Sequence, residues 1–191
     1  MLGKLYKLPI FSHVMAKLRK GSAYNQVLKR PYTRKSKYRA KSFIRANPHS
    51  KIVRFEMGNV QRKFDTRLTL IVTKELQIRH NALESARMSG NKVLEGTLGK
   101  SEYHMQVRKY PHHMLRENVL ASGAGADRMS TGMAGSYGKV IGLAAQCHKN
   151  DPIFVVEIDR KNISTAKEAL IRCKNKLPCT CQIIEERIVL P

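Results

Sequence analysis

Acidic residues are scarce in this 191-residue sequence, and none occurs before Glu56. The chain has 14 Asp and Glu against 36 Lys and Arg, which gives a formal net charge of +22. Self-repulsion at this charge destabilises a compact monomer unless a polyanion neutralises it. The imbalance therefore predicts a nucleic acid as the partner, with an anionic membrane surface as the alternative.

Long apolar runs and cysteines are also few. No apolar stretch reaches the roughly eighteen residues that a membrane-spanning helix needs, so we expect no membrane insertion. The four cysteines are unevenly spaced and do not indicate a disulfide framework, which favours a reducing, intracellular setting. The pattern Cys179-Thr180-Cys181 after Cys173 lacks the paired spacing of structural zinc sites. A site with Cys147 remains an alternative, but small core residues are the preferred interpretation, and we expect no metal.

Catalytic constellations are missing as well. Asp127, Asp151 and Asp159 have no base beside them in the sequence, and each is typical of a turn or a helix cap. Gly138-Lys139 is followed by Val140, whereas a phosphate-binding loop requires Ser or Thr at that place. We therefore expect no enzyme and no cofactor.

The N-terminal part of the chain is a dense basic segment. Residues 1–55 contain 15 Lys and Arg, while residues 56–191 contain the other 21 and all 14 acids. Aromatic residues are interleaved with these charges, and rings can stack on bases while cations neutralise phosphates. We predict a basic, RNA-bound extension over residues 1–50 and a globular domain over residues 51–191. Residues 1–14 are either a leader that precedes the true start at Met15 or a native part of the protein, and the sequence leaves both alternatives open.

The globular part alternates between strand and helix patterns. Apolar residues at every second position predict strands at 53–57, 68–72 and 103–107, and two further strands at 153–158 and 182–190. Strands followed by a helix, twice over, indicate a single α+β domain.

Helical periodicity is present in two segments. The first helix is predicted to be capped by Asn81 and to end at Gly96 and Gly99, and the second to be capped by Ser164 or Thr165. The inward faces are predicted to consist of Leu83, Ala86, Gly90, Val93 and Leu94 in the first helix, and of Ala166, Ala169, Leu170 and Cys173 in the second.

A glycine-rich segment interrupts the globular part. Residues 122–142 contain six glycines, a content that excludes a stable helix or strand on propensity alone. A loop of this length inside a domain is typically functional or disordered. We predict a flexible loop over residues 122–142 that contacts RNA.

An ordered series of motifs resembles one known family. The motifs are Arg30–Arg34, Phe55–Asn59, Ala82–Arg87, Tyr103–Arg108, His112–Asn118, Gly125–Arg128 and Thr131–Met133. Each motif is weak by itself, but their order and spacing match over about residues 16–185. The chain is similar to the universal large-subunit ribosomal protein sixteen, in its archaeal and eukaryotic branch. It departs from the family pattern at Ala134, Tyr137 and Val140, where the family usually has Arg, Phe and Pro.

The resemblance implies an α/β-hammerhead-like domain in the large subunit of the cytoplasmic ribosome. It implies contact with 23S-type rRNA near the peptidyl transferase centre. The expected neighbours are 5S rRNA and other ribosomal proteins, and the protein is not expected to form homo-oligomers. The glycine-rich loop would approach tRNA in the A and P sites. The candidate rRNA-binding residues are Arg30, Tyr32, Arg34, Lys35, Lys37, Arg39, Arg108, His112, His113 and Arg116. The candidate tRNA-proximal residues are Arg128, Met129, Ser130, Thr131, Gly132, Met133, Tyr137 and Lys139.

Two other classes of function remain as alternatives, and each requires features that differ from those of a ribosomal protein. An RNA-modifying or nucleotide-dependent enzyme requires catalytic acids in the glycine-rich segment, and the sequence offers none as a constellation. A DNA-compacting protein requires equal affinity for duplex DNA and folded rRNA. The interleaved aromatic residues and the long loop favour specific RNA binding over simple compaction.

Overall fold

The computed structural model describes residues 24, 31–33, 38, 40, 48–118, 120, 122–129 and 138–188. The interpretation of residues 1–14 therefore lies outside the described residues, as does most of the predicted extension. So do ten of the candidate contact residues, namely Arg30, Arg34, Lys35, Lys37, Arg39, Ser130, Thr131, Gly132, Met133 and Tyr137.

The described residues form two antiparallel sheets and three helices. The larger sheet has the strand order β1-β4-β7-β2-β8 and the smaller sheet the order β3-β6-β5. A mixed α+β domain is thus confirmed. The strands are β1 (Glu56–Gly58), β2 (Thr66–Val72), β3 (Leu76–Arg79), β4 (Tyr103–Val107), β5 (His113–Glu117), β6 (Lys139–Cys147), β7 (Pro152–Ile158) and β8 (Cys181–Arg187), and the helices are α1 (His80–Leu98), α2 (Ala126–Met129) and α3 (Ile163–Lys174).

The main core lies between the larger sheet and the helices α1 and α3. In the sheet, Leu68 of β2 and Met105 of β4 both pair with Val156 of β7, and all three are fully buried. Because side chains alternate along a strand, the intervening residues, such as Arg67 and Glu157, point to the opposite face. That second face is more exposed and polar.

The two helices bury the faces that periodicity predicts. All nine inward positions named above are buried. The predicted N-terminal caps are wrong by two or three residues, since the observed caps are Arg79 and Asn162. Helix α1 already begins at His80, so that Asn81 lies within its first turn, and α3 continues directly from the short 3-10 turn Arg160–Asn162. Gly96 lies inside α1, and Gly99, with φ of 77°, ends it as predicted.

The smaller sheet contains strands that the sequence pattern did not indicate. The prediction that glycine content excludes helix and strand over residues 122–142 is wrong at two places. Helix α2 lies inside this segment, and so do the first four residues of β6, 139–142. The physical reason is that β6 is the central strand, hydrogen-bonded to β3 on one side and to β5 on the other. Such long-range pairing overrides local propensity.

Candidate RNA-binding surface

The segment Arg108–His112 connects the larger sheet to the smaller one, since it follows β4 and precedes β5. We refer to it as the inter-sheet linker. Its first residue is held to the larger sheet, because the amide of Arg108 donates to the carbonyl of Ile153 at 2.8 Å. The amide of His112 donates to the carbonyl of Tyr110 at 3.0 Å. These two bonds fix the backbone of an otherwise irregular segment.

Three aromatic rings are in contact at the inter-sheet linker, and we call Phe55, Tyr110 and His112 the aromatic stack. The rings of Phe55 and Tyr110 are stacked, with centroids 5.3 Å apart and an interplanar angle of 24°, whereas those of Tyr110 and His112 are tilted by 45° with centroids 4.6 Å apart. Phe55 reaches this place because its carbonyl accepts from the amide of Val107 at 2.8 Å. Tyr110 is 48% exposed and His112 is exposed, so the aromatic stack offers ring surface on which a base can stack.

The charges beside the aromatic stack differ in how far they are compensated. Nζ of Lys109 hydrogen-bonds to the carboxylate of Asp151. Burial alone would raise the pKa of Asp151, but hydrogen bonds from Lys109 and from the amide of His148 lower it below its usual value. The guanidinium of Arg108 donates to Oε1 of Gln106 at 3.0 Å and, among the described residues, has no carboxylate partner. Arg108 therefore retains a charge that a phosphate can neutralise.

A second cluster holds one point of the basic extension, Tyr32, against β5. The amide of Tyr32 donates to Nδ1 of His113 at 2.8 Å, and the amide of Met114 donates to the carbonyl of Tyr32 at 2.9 Å. The guanidinium carbon of Arg116 lies 4.0 Å from the centroid of the Tyr32 ring, a cation–π contact. Tyr32, His113 and Arg116, three of the candidate residues, are thus brought together.

His113 is buried, unlike its neighbour His112. The opposite exposure of the two rings follows from the alternation of side chains at the start of a strand. Because its ring is inside the protein and already accepts a backbone hydrogen bond, we remove His113 from the residues expected to touch RNA directly. His113 instead anchors Tyr32 of the basic extension to β5.

The polar face of the larger sheet is close to charge balance. Arg67 and His104 both contact Glu157, at 2.7 and 3.2 Å, and Gln106 donates to Glu56 at 2.9 Å. Burial tends to raise the pKa of Glu157, but Arg67 and His104 lower it below its usual value. Because Arg67 is already paired with a carboxylate, we expect nucleic acid at the Arg108 corner of this face and not across it.

The two described ends of the glycine-rich segment carry the remaining candidates. Arg128 is exposed in α2, which also contains Met129, and Lys139 is exposed opposite Glu117 in the first register position of β6. Gly138 has φ of 78°, and a Cβ there would lie 2.8 Å from the carbonyl carbon of Glu117. A glycine is therefore required where the segment enters β6.

Comparison with known proteins identifies the family to which the chain belongs. Residues 28–184 match the family described as "Ribosomal protein L16p/L10e". The chain belongs to the ribosomal protein L16p/L10e family. Three similar proteins, each called "Large ribosomal subunit protein uL16", come from Methanococcus aeolicus (45% identical over 167 residues, 87% of this chain and 93% of that protein), Methanospirillum hungatei (42% over 165 residues, 86% and 94%) and Staphylothermus marinus (42% over 167 residues, 87% and 92%).

Family membership confirms the expected class of protein. A member of the L16p/L10e family has a structural role in the ribosome and is not an enzyme, and its place is the cytoplasmic ribosome. Within the described residues, no group of three or more His, Cys, Asp or Glu side chains could hold a metal ion. The helices of the same part of the chain are all too short or too polar to cross a membrane.

Sequence reasoning missed two members of the aromatic stack in this L16p/L10e protein. Tyr110 lies two residues before His112 in the sequence, and an aromatic residue at that distance among cations was a signal that could have been used. Phe55 could not have been found in this way, because its place depends on the register that sets Met57 opposite Met105 in the β1–β4 pair.

We expect the attachment of Tyr32 to weaken as the pH falls from 7.5 to 5. Burial, and then the charge of Arg116, lower the pKa of His113 below 6.5 in the folded protein. The unfolded chain therefore takes up the proton first, so that stability is lost as the pH falls from 6.5 towards the folded pKa. Protonation of Nδ1 also removes the acceptor for the amide of Tyr32.

This expectation is checked by urea unfolding of the protein and of His113→Gln across that pH range. His113→Gln should lose less stability on acidification than the parent, although a remainder is expected because burial, Lys51 and Arg79 also lower the pKa of His80. The matched control is His49→Gln, which should keep the parental slope because His49 is exposed and has no hydrogen bond or ion pair among the described residues. Equal slopes for all three proteins would contradict the assignment.

Proposed function

We propose that this L16p/L10e protein binds 23S-type rRNA through the inter-sheet linker and the basic extension. The observation that carries the proposal is the exposed aromatic stack beside the uncompensated Arg108. Aromatic side chains stack on unpaired bases, and a neighbouring guanidinium adds a phosphate contact, which is the usual way in which proteins bind RNA loops. His112, Arg108 and Tyr110 are the contact residues of this site.

The basic extension supplies most of the remaining affinity in this proposal. Residues 1–50 contain 13 Lys and Arg and no acid. The Tyr32 anchor on β5 fixes one point of the extension, and Arg116 covers the Tyr32 ring, so this point of the extension is held against the folded domain. Each Lys or Arg at a phosphate releases counterions and makes binding more sensitive to salt.

The finer position in the ribosome is likewise proposed from the family resemblance. We place the α/β-hammerhead-like domain near the peptidyl transferase centre, with 5S rRNA and other ribosomal proteins as neighbours and no second copy of the chain. The glycine-rich segment, including Arg128 and Lys139 at its described ends, lies next to tRNA in the A and P sites. Glycine supports this role because it lets a backbone approach a ligand closely.

Tyr110→Ala is expected to weaken binding to large-subunit rRNA by roughly tenfold, because the loss of one base–aromatic stack costs about 1–3 kcal/mol. The salt dependence should not change, since no charge is removed. Arg108→Gln should instead reduce the slope of log affinity against log salt by roughly one unit. Filter binding at several salt concentrations measures both effects.

Met88→Ala is the control for Tyr110→Ala, because Met88 is 59% exposed on α1. Unaltered binding by Tyr110→Ala would exclude the stack as a base platform. Equal affinity of the parent protein for duplex DNA and for folded rRNA would favour the DNA-compacting function.

Removal of residues 126–136 tests the contribution of the glycine-rich segment while leaving Gly138 and β6 in place. We expect this variant to sediment with the large subunit in a sucrose gradient, because the proposed rRNA contacts lie elsewhere. Peptide synthesis by ribosomes that carry the variant should be slower. Loss of the variant from the large-subunit fractions would contradict this division of roles.

A further inference from the structure

Two cysteine sulphurs lie in contact at the start of β8. Sγ of Cys179 and Sγ of Cys181 are 3.3 Å apart, and both thiols are free. A disulfide needs about 2.05 Å, so the two sulphurs have to approach each other by only roughly 1.2 Å. Cys179 is partly exposed, whereas Cys181 is buried, so a small molecule can approach the pair from the Cys179 side.

The backbone around the pair is held by hydrogen bonds from the neighbouring strand. The carbonyl of Thr180, between the two cysteines, accepts from both the amide and the hydroxyl of Thr73, at 3.2 and 2.8 Å. Cys181 is paired in register with Val72 of β2. The close approach of the sulphurs is therefore a property of the folded chain and not of the short sequence alone.

The other two cysteines lack these features. Cys147 and Cys173 are fully buried, and burial raises the pKa of each thiol to about 12. Sγ of Cys173 also donates to the carbonyl of Ala86 at 3.3 Å. In the pair, the hydrogen bond from Cys179 lowers the pKa of Cys181 against the effect of burial, and Lys174 assists, while the same hydrogen bond and burial raise the pKa of Cys179. The chain thus contains two inert thiols that serve as internal controls.

We propose that Cys179 and Cys181 form a reactive dithiol, which a low-molecular-weight disulfide such as oxidised glutathione converts into an intrachain disulfide. The proton of Cys181 first leaves to solvent. Cys179 then passes its own proton to the Cys181 thiolate and attacks the small disulfide, and one small thiolate leaves. Cys181 then loses a proton to solvent and attacks Sγ of Cys179, which releases the second small thiolate. Two S–H bonds of the protein are lost, its S–S bond forms, and the oxidant is reduced to two thiols.

The test uses the full-length, reduced protein, with oxidised glutathione as the probe. After incubation the protein is unfolded, treated with an alkylating reagent and digested with trypsin. The peptide between Lys176 and Arg187 contains Cys179 and Cys181 and no other cysteine. We expect this peptide to be unalkylated and lighter by two hydrogen atoms than its reduced form, while Cys147 and Cys173 remain fully alkylated.

Three comparisons make the outcome decisive. Cys181→Ser should stop at a mixed disulfide of Cys179 with glutathione, and Cys173→Ser should form the intrachain disulfide as the parent does. The native chain should oxidise faster than the urea-unfolded chain, because only the fold holds the sulphurs together. Alkylation of both cysteines in the oxidised parent, a persistent glutathione adduct on it, or equal rates for native and unfolded chains would each overturn the proposal.

Discussion

Replacement of five cations in the basic extension by glutamine is expected to weaken binding to large-subunit rRNA by roughly 100-fold or more at physiological salt. If each residue contacts a phosphate, the slope of log affinity against log salt should fall by about 3.5 to 4.5 units, since each contact contributes about 0.7 to 0.9. A salt titration of the binding constant measures this slope directly. The substituted residues are Arg30, Arg34, Lys35, Lys37 and Arg39.

A matched variant separates specific contacts from the effect of total charge. Five exposed cations of the globular domain are changed to glutamine, so that the net charge falls by the same amount. This control should lose much less affinity and retain most of the slope. If both variants lose affinity equally, the extension has no privileged role and the proposed binding mode is wrong. The control residues are Lys74, Lys92, Lys149, Arg160 and Lys161.

Gly90→Val is expected to reduce the free energy of unfolding by about 2–3 kcal/mol, within the usual range for overpacking a core. A Cβ at Gly90 would lie 2.3 Å from Sγ of Cys173 and 3.2 Å from Cε of Met105. Both neighbours are fully buried, so neither can move without disturbing α3 or β4. Glycine at this position therefore permits the close approach of α1 to α3. Urea unfolding gives the change in stability.

The same substitution at Gly96 provides the control, because a Cβ there has nothing within 4 Å. Both glycines lie in α1, and valine has a helix propensity slightly better than that of glycine. Gly96→Val should therefore change the stability by no more than about 0.5 kcal/mol. Comparable losses at both positions would mean that helix propensity, and not packing, sets the effect at Gly90.

The helices show how far local pattern determines structure. The nine inward positions of α1 and α3 follow from a repeat of three and four residues, which depends only on the geometry of the helix itself. The caps were misplaced because α1 begins directly after the extended last residue of β3, Arg79, and because α3 continues from the 3-10 turn Arg160–Asn162. A periodic pattern is thus more informative about a face than about an end.

The candidate site shows where local pattern is insufficient. Tyr110 and His112 are close in sequence, but Phe55 joins them only through the β1–β4 register. His112 and His113 look equivalent in the sequence, yet one ring is exposed and the other is buried against Tyr32. Neither fact can be obtained without the long-range pairing of strands.

The sequence by itself determined the charge, the α+β class, the helix faces and, through its ordered motifs, the ribosomal protein family. These properties depend on composition or on residues that are neighbours along the chain. Only the tertiary structure decided that β6 extends into the glycine-rich segment, that His113 is an anchor, and that Arg108 keeps an uncompensated charge. Each of these depends on hydrogen bonds, burial or ion pairs between distant residues, whose free energies outweigh local propensity once the sheets have formed.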